Sequence, residues 1–291
     1  MARCKKVRLN TGRPPVLKPP TASITRKASR TVINKHHQLE KARTLASKQG
    51  DQSRAAALAA EIEALGGLDQ YQKASLQGQS KDRGGDSSVV LLEWLGLKRK
   101  TGKVQETSRL RMLEVGALST TNACSLSGHF DMVCIDLNSQ EPGIIQQDFM
   151  ERPLPTSNAD RFDVLSLSLV VNFVPDAIVR GNMLRRTLSF LRQPSVDCEA
   201  TCKGALPVLF LVLPRSCVDN SRYFTNQRLA EIMASLGLSV LHEKKTNKLI
   251  YQLWQRTSLT PTPNAVFRKQ ELNPGATRNN FTIILNKAHR S

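Results

Sequence analysis

With 291 residues, 40% of them apolar, the chain can bury one large domain plus a smaller one. No apolar run reaches the roughly 18 residues that a membrane span needs, and the basic N-terminus has no apolar segment behind its charges, so a secretory signal peptide is not expected. The formal net charge of +18 is concentrated at the ends: residues 1–50 carry thirteen Lys/Arg against Glu40, residues 241–291 carry nine against two acids, and the stretch between nets −1.

A near-neutral body with two basic arms suits a polyanion held through counterion release, which points to nucleic acid. A solvated nuclear-targeting tail is the other reading for the first thirty residues. Both place the protein near nuclear or nucleolar RNA. The six cysteines (Cys4, Cys124, Cys134, Cys198, Cys202, Cys217) show no C-x-x-C pair and no His/Cys ligand spacing. Reduced intracellular thiols and no metal are expected. No histidine stands out as catalytic, with His36 and His37 on the first predicted helix and His129 before a strand.

In chain order, residues 1–34 are rich in Arg, Lys, Pro, Ser and Thr and read as a disordered basic tail. Residues 35–98 read as a small helical subdomain. Its two antiparallel helices carry Ala55, Leu58, Ala59, Ile62 and Leu65 at helical spacing and stop at Gly66-Gly67. A polar Gly/Ser-rich loop follows to Ser88, either a flexible linker or an ordered loop lining a site. A short helix then runs from Val89 to Leu97, capped by Asp86 or Ser87.

From residue 99 onward the pattern is α/β, with strands expected at 110–115, 131–136, 144–148, 162–168, 206–213, 239–244 and 281–286, and helices at 177–192 and 225–236. Alternation of this kind implies a mostly parallel seven-stranded Rossmann-like sheet covered on both faces. The last segment, Phe281-Thr-Ile-Ile-Leu285, suits an antiparallel strand at the edge, whereas Leu249 to Gln255 either continues strand six or forms a short helix.

The chain is organised around Met112-Leu-Glu-Val-Gly-Ala-Leu-Ser119 and, some twenty residues on, Val133-Cys-Ile-Asp-Leu137. An apolar strand enters a glycine turn, and the neighbouring strand ends in a carboxylate. That is the pattern of a nucleoside crevice, with backbone approach at Gly116 and ribose hydroxyls on Asp136. A dinucleotide site would use three glycines, and here Leu118 stands where a second is expected, so no pyrophosphate is cradled. A ribose cofactor without phosphate fits, S-adenosylmethionine being the common one. Glu114 is placed to reach a methionine amino group or to satisfy backbone donors. Asp148 can accept from the adenine amine with the Phe149 ring or backbone amide beside it; alternatively Asp148 caps the next turn and Phe149 is core.

Five segments together carry a family resemblance: residues 66–88, Leu113-Glu-Val-Gly116, Cys134-Ile-Asp-Leu137, Ile145-Gln-Gln-Asp-Phe-Met-Glu-Arg-Pro153 and Leu165-Ser-Leu-Ser-Leu-Val-Val-Asn-Phe-Val-Pro-Asp176. The chain resembles, over about residues 35 to 286, the fungal nucleolar methyltransferases that modify adenine at ring position 1 in 25S ribosomal RNA. The resemblance implies a class I, S-adenosylmethionine-dependent fold with Gly116 and Asp136 at the cofactor. Leu118 and Ser119 depart from the general glycine motif of such enzymes. It also implies a large-subunit rRNA substrate presented as an unpaired adenine, action during ribosome assembly and nucleolar localisation; whether a pre-ribosomal particle is a required partner is left open, and a monomer is expected although the sequence carries no clear signal for oligomerisation.

The target base is then expected at Asn172-Phe-Val-Pro175, with Asn172 or a nearby carbonyl on the exocyclic amine, Phe173 stacked on the ring and Pro175 stiffening the turn. In the competing reading, Asn172 caps the following helix and Phe173 is core. Animal relatives of the family act as S-adenosylmethionine sensors through a protein partner, which leaves a second class of function open; the basic arms favour RNA.

Overall fold

The computed structural model describes residues 26–67, 85–97, 109–139, 141–194, 206–258 and 265–287. The expected tail up to residue 25 and most of the Gly/Ser-rich loop (68–84) lie outside the described residues.

Helices α1 (Arg26–Lys48) and α2 (Gln52–Ala64) form the antiparallel pair. They bury Leu39, Ala46, Ala55 and Ile62, and Lys35 meets Glu61 at 2.9 Å across them. Asp51 caps α2 by accepting from the Arg54 N–H. The first helix begins at Arg26, inside the stretch expected to be disordered, because Arg, Lys, Ala and Ser carry little helix penalty and the apolar residues sit further along the same helix. Helix α3 (Ser88–Trp94) packs on the sheet, where Leu91 and Leu95 are buried with Met112, Val164 and Phe210.

The sheet is built from β1 (Leu110–Val115), β2 (Phe130–Asp136), β3 (Ile144–Gln146), β4 (Val164–Ser168), β5 (Val208–Pro214), β6 (Leu238–Lys245) and β7 (Leu249–Arg256) in the order β3-β2-β1-β4-β5-β7-β6. Strands β1 to β5 are parallel, and β7 inserts antiparallel between β5 and β6. The helices between and after them are α4 (Ala123–Leu126), α5 (Ala177–Phe190), α6 (Ser216–Asp219) and α7 (Asn226–Ser235).

The strand alternation feeds two cores. Leu209, Leu211 and Leu213 of β5 face α5 and α7, while Val208, Phe210 and Val212 face α3. Almost continuous apolarity in β4 and β5 is what burial on both faces requires.

The seventh strand is Leu249–Arg256, not 281–286. Leu249-Ile-Tyr-Gln-Leu-Trp-Gln-Arg turns back from β6 through a tight connection in which the Thr246 N–H donates to the Leu249 carbonyl at 2.8 Å, so a hairpin supplies β5 with its neighbour. Residues 281–285 instead form an extended ribbon on the helical layer. Phe281, Ile283 and Leu285 are buried, and the ribbon's backbone bonds to Ala177 and Phe267 rather than to a strand ladder.

Candidate active site

The parallel register sets the carboxyl ends of β1, β2, β3 and β4 side by side, the place where open α/β sheets hold ligands. Val115 pairs with Ile135 and Leu167, and Asp136 with Gln146. Gly116, Asp136, Asp148 and Asn172 lie at or just past the ends of β1, β2, β3 and β4 along this rim.

Gly116 has φ +74°, and a Cβ built there would lie 2.6 Å from Val170 Cγ2. Only glycine fits this turn without displacing the β4 exit. The Gly116 and Ala117 N–H groups both donate to the Ile135 carbonyl, at 2.8 and 3.1 Å, which folds the turn toward Asp136. The Asp136 carboxylate accepts from the Asn138 N–H at 2.8 Å, and its carbonyl takes the Gln147 N–H, tying β2 to the β3 exit.

Glu114 faces the α3 side. The Asn122 side-chain amide donates to it at 2.8 Å, and Asn122 is itself fixed as the N-cap of α4 by the Ser125 N–H. Burial, with the nearby Asp86 charge in support, pushes the Glu114 carboxyl up to about 7 against the Asn122 hydrogen bond. A cationic ligand is what relieves such a group. The same burial raises the Cys124, Cys134 and Cys217 thiols, so none of them is a thiolate at neutral pH.

Asp148 caps its own turn through the Met150 N–H at 2.7 Å. Phe149 does not offer its ring to a ligand: it is 2% exposed and packs on Phe190, with ring centroids 5.2 Å apart. Its backbone alone is left to the rim, and Arg186 holds its carbonyl from the core side. The aromatic ring went to the largest apolar cluster because strand-end rings gain more from packing there.

The β4 exit is strained. Leu169 has φ +59°, an uncommon conformation for a side chain with a Cβ, and Val170 behind it covers Gly116. Asn172 follows in a turn, and its side-chain Oδ1 is buried without a hydrogen-bond partner among the described residues. It does not cap the next helix. Asp176 does, accepting from the Ile178 and Val179 N–H groups. Phe173 sits in the same turn, its N–H bonded to the Val170 carbonyl at 2.9 Å.

The model for the family described as "25S rRNA (adenine(2142)-N(1))-methyltransferase, Bmt2" matches residues 56–283. This chain belongs to that family. A Saccharomyces cerevisiae relative named 25S rRNA (adenine(2142)-N(1))-methyltransferase is 39% identical over 226 residues, covering 77% of this chain and 62% of that protein. A Schizosaccharomyces pombe relative named 25S rRNA adenine-N(1) methyltransferase is 37% identical over 258 residues, covering 87% and 89%. This chain therefore spans a little under two thirds of the length of the former relative. Among solved structures, the Burkholderia thailandensis 1,6-didemethyltoxoflavin-N1-methyltransferase with bound S-adenosylhomocysteine aligns at TM-score 0.42 and 16% identity, over 59% of this chain and 76% of that one.

Within the family fold, two groups of residues shape the site that motif reading did not single out. Asp86, before α3, accepts from the Ser88 N–H and hydroxyl with one oxygen and from the Ala123 N–H with the other, while the Ser87 hydroxyl pairs with Ser168 at 2.9 Å. These bonds clamp the start of α3 against the start of α4 and the end of β4. They are short polar residues with no spacing rule, and only the Asp-Ser-Ser before an apolar helix hinted at a cap.

The second group is the ribbon. Arg180 of α5 is buried and donates to the Val174 and Thr282 carbonyls, both at 2.7 Å, with its guanidinium carbon 4.4 Å from the Phe281 ring centroid. Burial pulls Arg180 down to about 10, so it stays charged at neutral pH. It fastens the Asn172–Pro175 turn to the ribbon, and Gly181 makes room, since a Cβ there would stand 2.0 Å from the Ile284 carbonyl oxygen.

Proposed function

We propose that the protein is an S-adenosylmethionine-dependent methyltransferase that methylates N1 of an adenine in large-subunit ribosomal RNA, acting in the nucleolus during ribosome assembly. The residues present fit the cofactor. Gly116 provides a side-chain-free turn, Asp136 a carboxylate for the ribose, and Glu114 an anion in want of a cation such as the methionine ammonium. When bound, S-adenosylmethionine supplies an electrophilic methyl group on a sulfonium.

The observation that carries the target assignment is Asn172 Oδ1, buried and unpartnered at the β4 exit beside the Gly116 turn. An acceptor in that state suits the exocyclic amine of adenine, and holding that amine orients N1. Neutral adenine keeps the N1 lone pair in the ring plane, so the protein needs to position rather than deprotonate it. Accordingly no general base is required, and among the described residues the rim offers carboxylates and an amide. N1 lies on the pairing edge, so the base must enter unpaired or flipped out. The methylated base is cationic, and since it takes over the charge that the sulfonium gives up, the net charge of the site is the same before and after transfer. The relatives' names and the thirteen Lys/Arg of the first fifty residues support rRNA as the polymer.

The test is incubation of the purified protein with methyl-labelled cofactor and unmodified large-subunit rRNA. Label at N1 of one adenine is the expected result. Tight cofactor binding with no transfer to any rRNA would overturn the reading and favour a sensor.

A further inference from the structure

The rim continues past Asn172. Strands β4 and β5 are parallel neighbours, with Ser168 opposite Val212, so the connection from β5 to α7 leaves the sheet beside the target-base turn. Tyr223 lies in that connection. Its carbonyl accepts from the Thr282 hydroxyl at 3.3 Å, and Thr282 in turn receives Arg180, which holds Val174. Two residues, Thr282 and Arg180, thus separate Tyr223 from the turn that carries Asn172.

Around Tyr223 the surface is cationic and aromatic. Lys269 Nζ stands 4.2 Å from the Tyr223 ring centroid and the Arg222 guanidinium carbon 5.8 Å. Alongside, the Arg228 guanidinium carbon is 5.6 Å from the Phe267 ring. An open surface depression of about 390 Å³ is lined by Arg228, Val266, Phe267, Arg268 and Gln270. Arg228 is paired with Glu231 at 3.2 Å, while Arg268 and Lys269 are exposed.

We propose that this surface holds the RNA strand flanking the target adenine, with Tyr223 as a stacking platform and Arg222, Arg268 and Lys269 on its phosphates. The proposal rests on the RNA reading above and adds the direction in which the substrate leaves the site. A ring with cations beside it suits a polymer with alternating flat bases and phosphates. An acidic peptide would use the charges and leave the ring idle.

The experiment uses the full chain and a single-stranded transcript of unmodified large-subunit rRNA, with affinity read by fluorescence anisotropy at several salt concentrations. Arg268→Glu with Lys269→Glu is expected to weaken binding about tenfold or more and to flatten the log–log salt slope by about one to two. Tyr223→Ala should weaken it about fivefold or more while leaving the salt slope in place. S-adenosylhomocysteine affinity, measured by calorimetry, should stay within about twofold for both, which shows an intact fold. Wild-type affinity and slope in both variants would overturn the surface. So would loss of binding to a polyglutamate peptide with RNA binding retained. If the wild type binds RNA through these residues but transfers no methyl group, the surface stands and the proposed reaction falls.

Discussion

The two halves of the carboxyl rim are opposites in charge. The β1–β3 half presents Glu114, Asp136 and Asp148, with Asp86 behind them. The half formed by the β5–α7 connection presents Arg222 and Tyr223, with Lys269 above the ring. On the proposed reading, a sulfonium cofactor with an ammonium group sits on the first and a polyanion on the second. The difference teaches that one sheet edge can sort two ligands by sign, so each half should be breakable without the other.

The sharpest break is Asp136→Ala. It removes the charged acceptor for the ribose and should weaken S-adenosylhomocysteine binding about 100-fold in calorimetry, with RNA affinity unchanged. Equal losses of both ligands would mean that the halves are one site.

Glu114→Gln comes next, with an expected loss of about 10- to 30-fold in cofactor affinity at pH 8 that shrinks toward pH 5.5. The wild-type carboxyl is raised from 4.5 to about 7, so it is protonated and unable to pair with an ammonium below that pH. The stability profile carries the complementary sign. Between pH 4.5 and about 7 the folded ligand-free protein keeps a proton that the unfolded chain has released. Stability is therefore lost as pH rises through that window, by roughly 3 kcal/mol in full above it. Denaturant titrations at pH 5 and 8 should show a flatter profile for the glutamine variant.

Arg180→Met is expected to lower the methyl-transfer kcat about tenfold while S-adenosylhomocysteine affinity holds, because it frees the Asn172 turn and touches neither ligand. Arg180→Lys should restore part of kcat, since an ammonium can still reach one of the two carbonyls. The smallest effect belongs to Ser87→Ala, which removes one hydroxyl pair between α3 and β4 and should cost about 1 kcal/mol in thermal stability and under about threefold in activity.

Much of the acidic half was legible in the sequence, because a strand running into a glycine and a second strand ending in a carboxylate are local patterns that the parallel register places together. The basic half was not. Phe281-Thr-Ile-Ile-Leu285 alternates like a strand, and alternation reports an extended, one-sided burial without naming the hydrogen-bonding partner. The partner proved to be the helical layer, and Leu249–Arg256, with Gln252, Gln255 and Arg256 among its apolar residues, took the ladder instead. Gln252 spends its amide on Asn226 and Glu243, and Arg256 on the carbonyls of Leu188 and Leu191, so neither polar group betrays a buried strand. Arg180 escaped notice because its partners are backbone carbonyls, which leave no side-chain motif to read.

The ribbon over Gly181 also imposes a schedule on the newborn chain. The sheet is complete once Arg256 has emerged from the ribosome, but the turn bearing Asn172 is fastened only after Thr282 and Ile284 follow. A growing polypeptide thus completes the Gly116 and Asp136 side of its rim before the Asn172 side is fastened, and the last thirty or so residues finish what the sheet began.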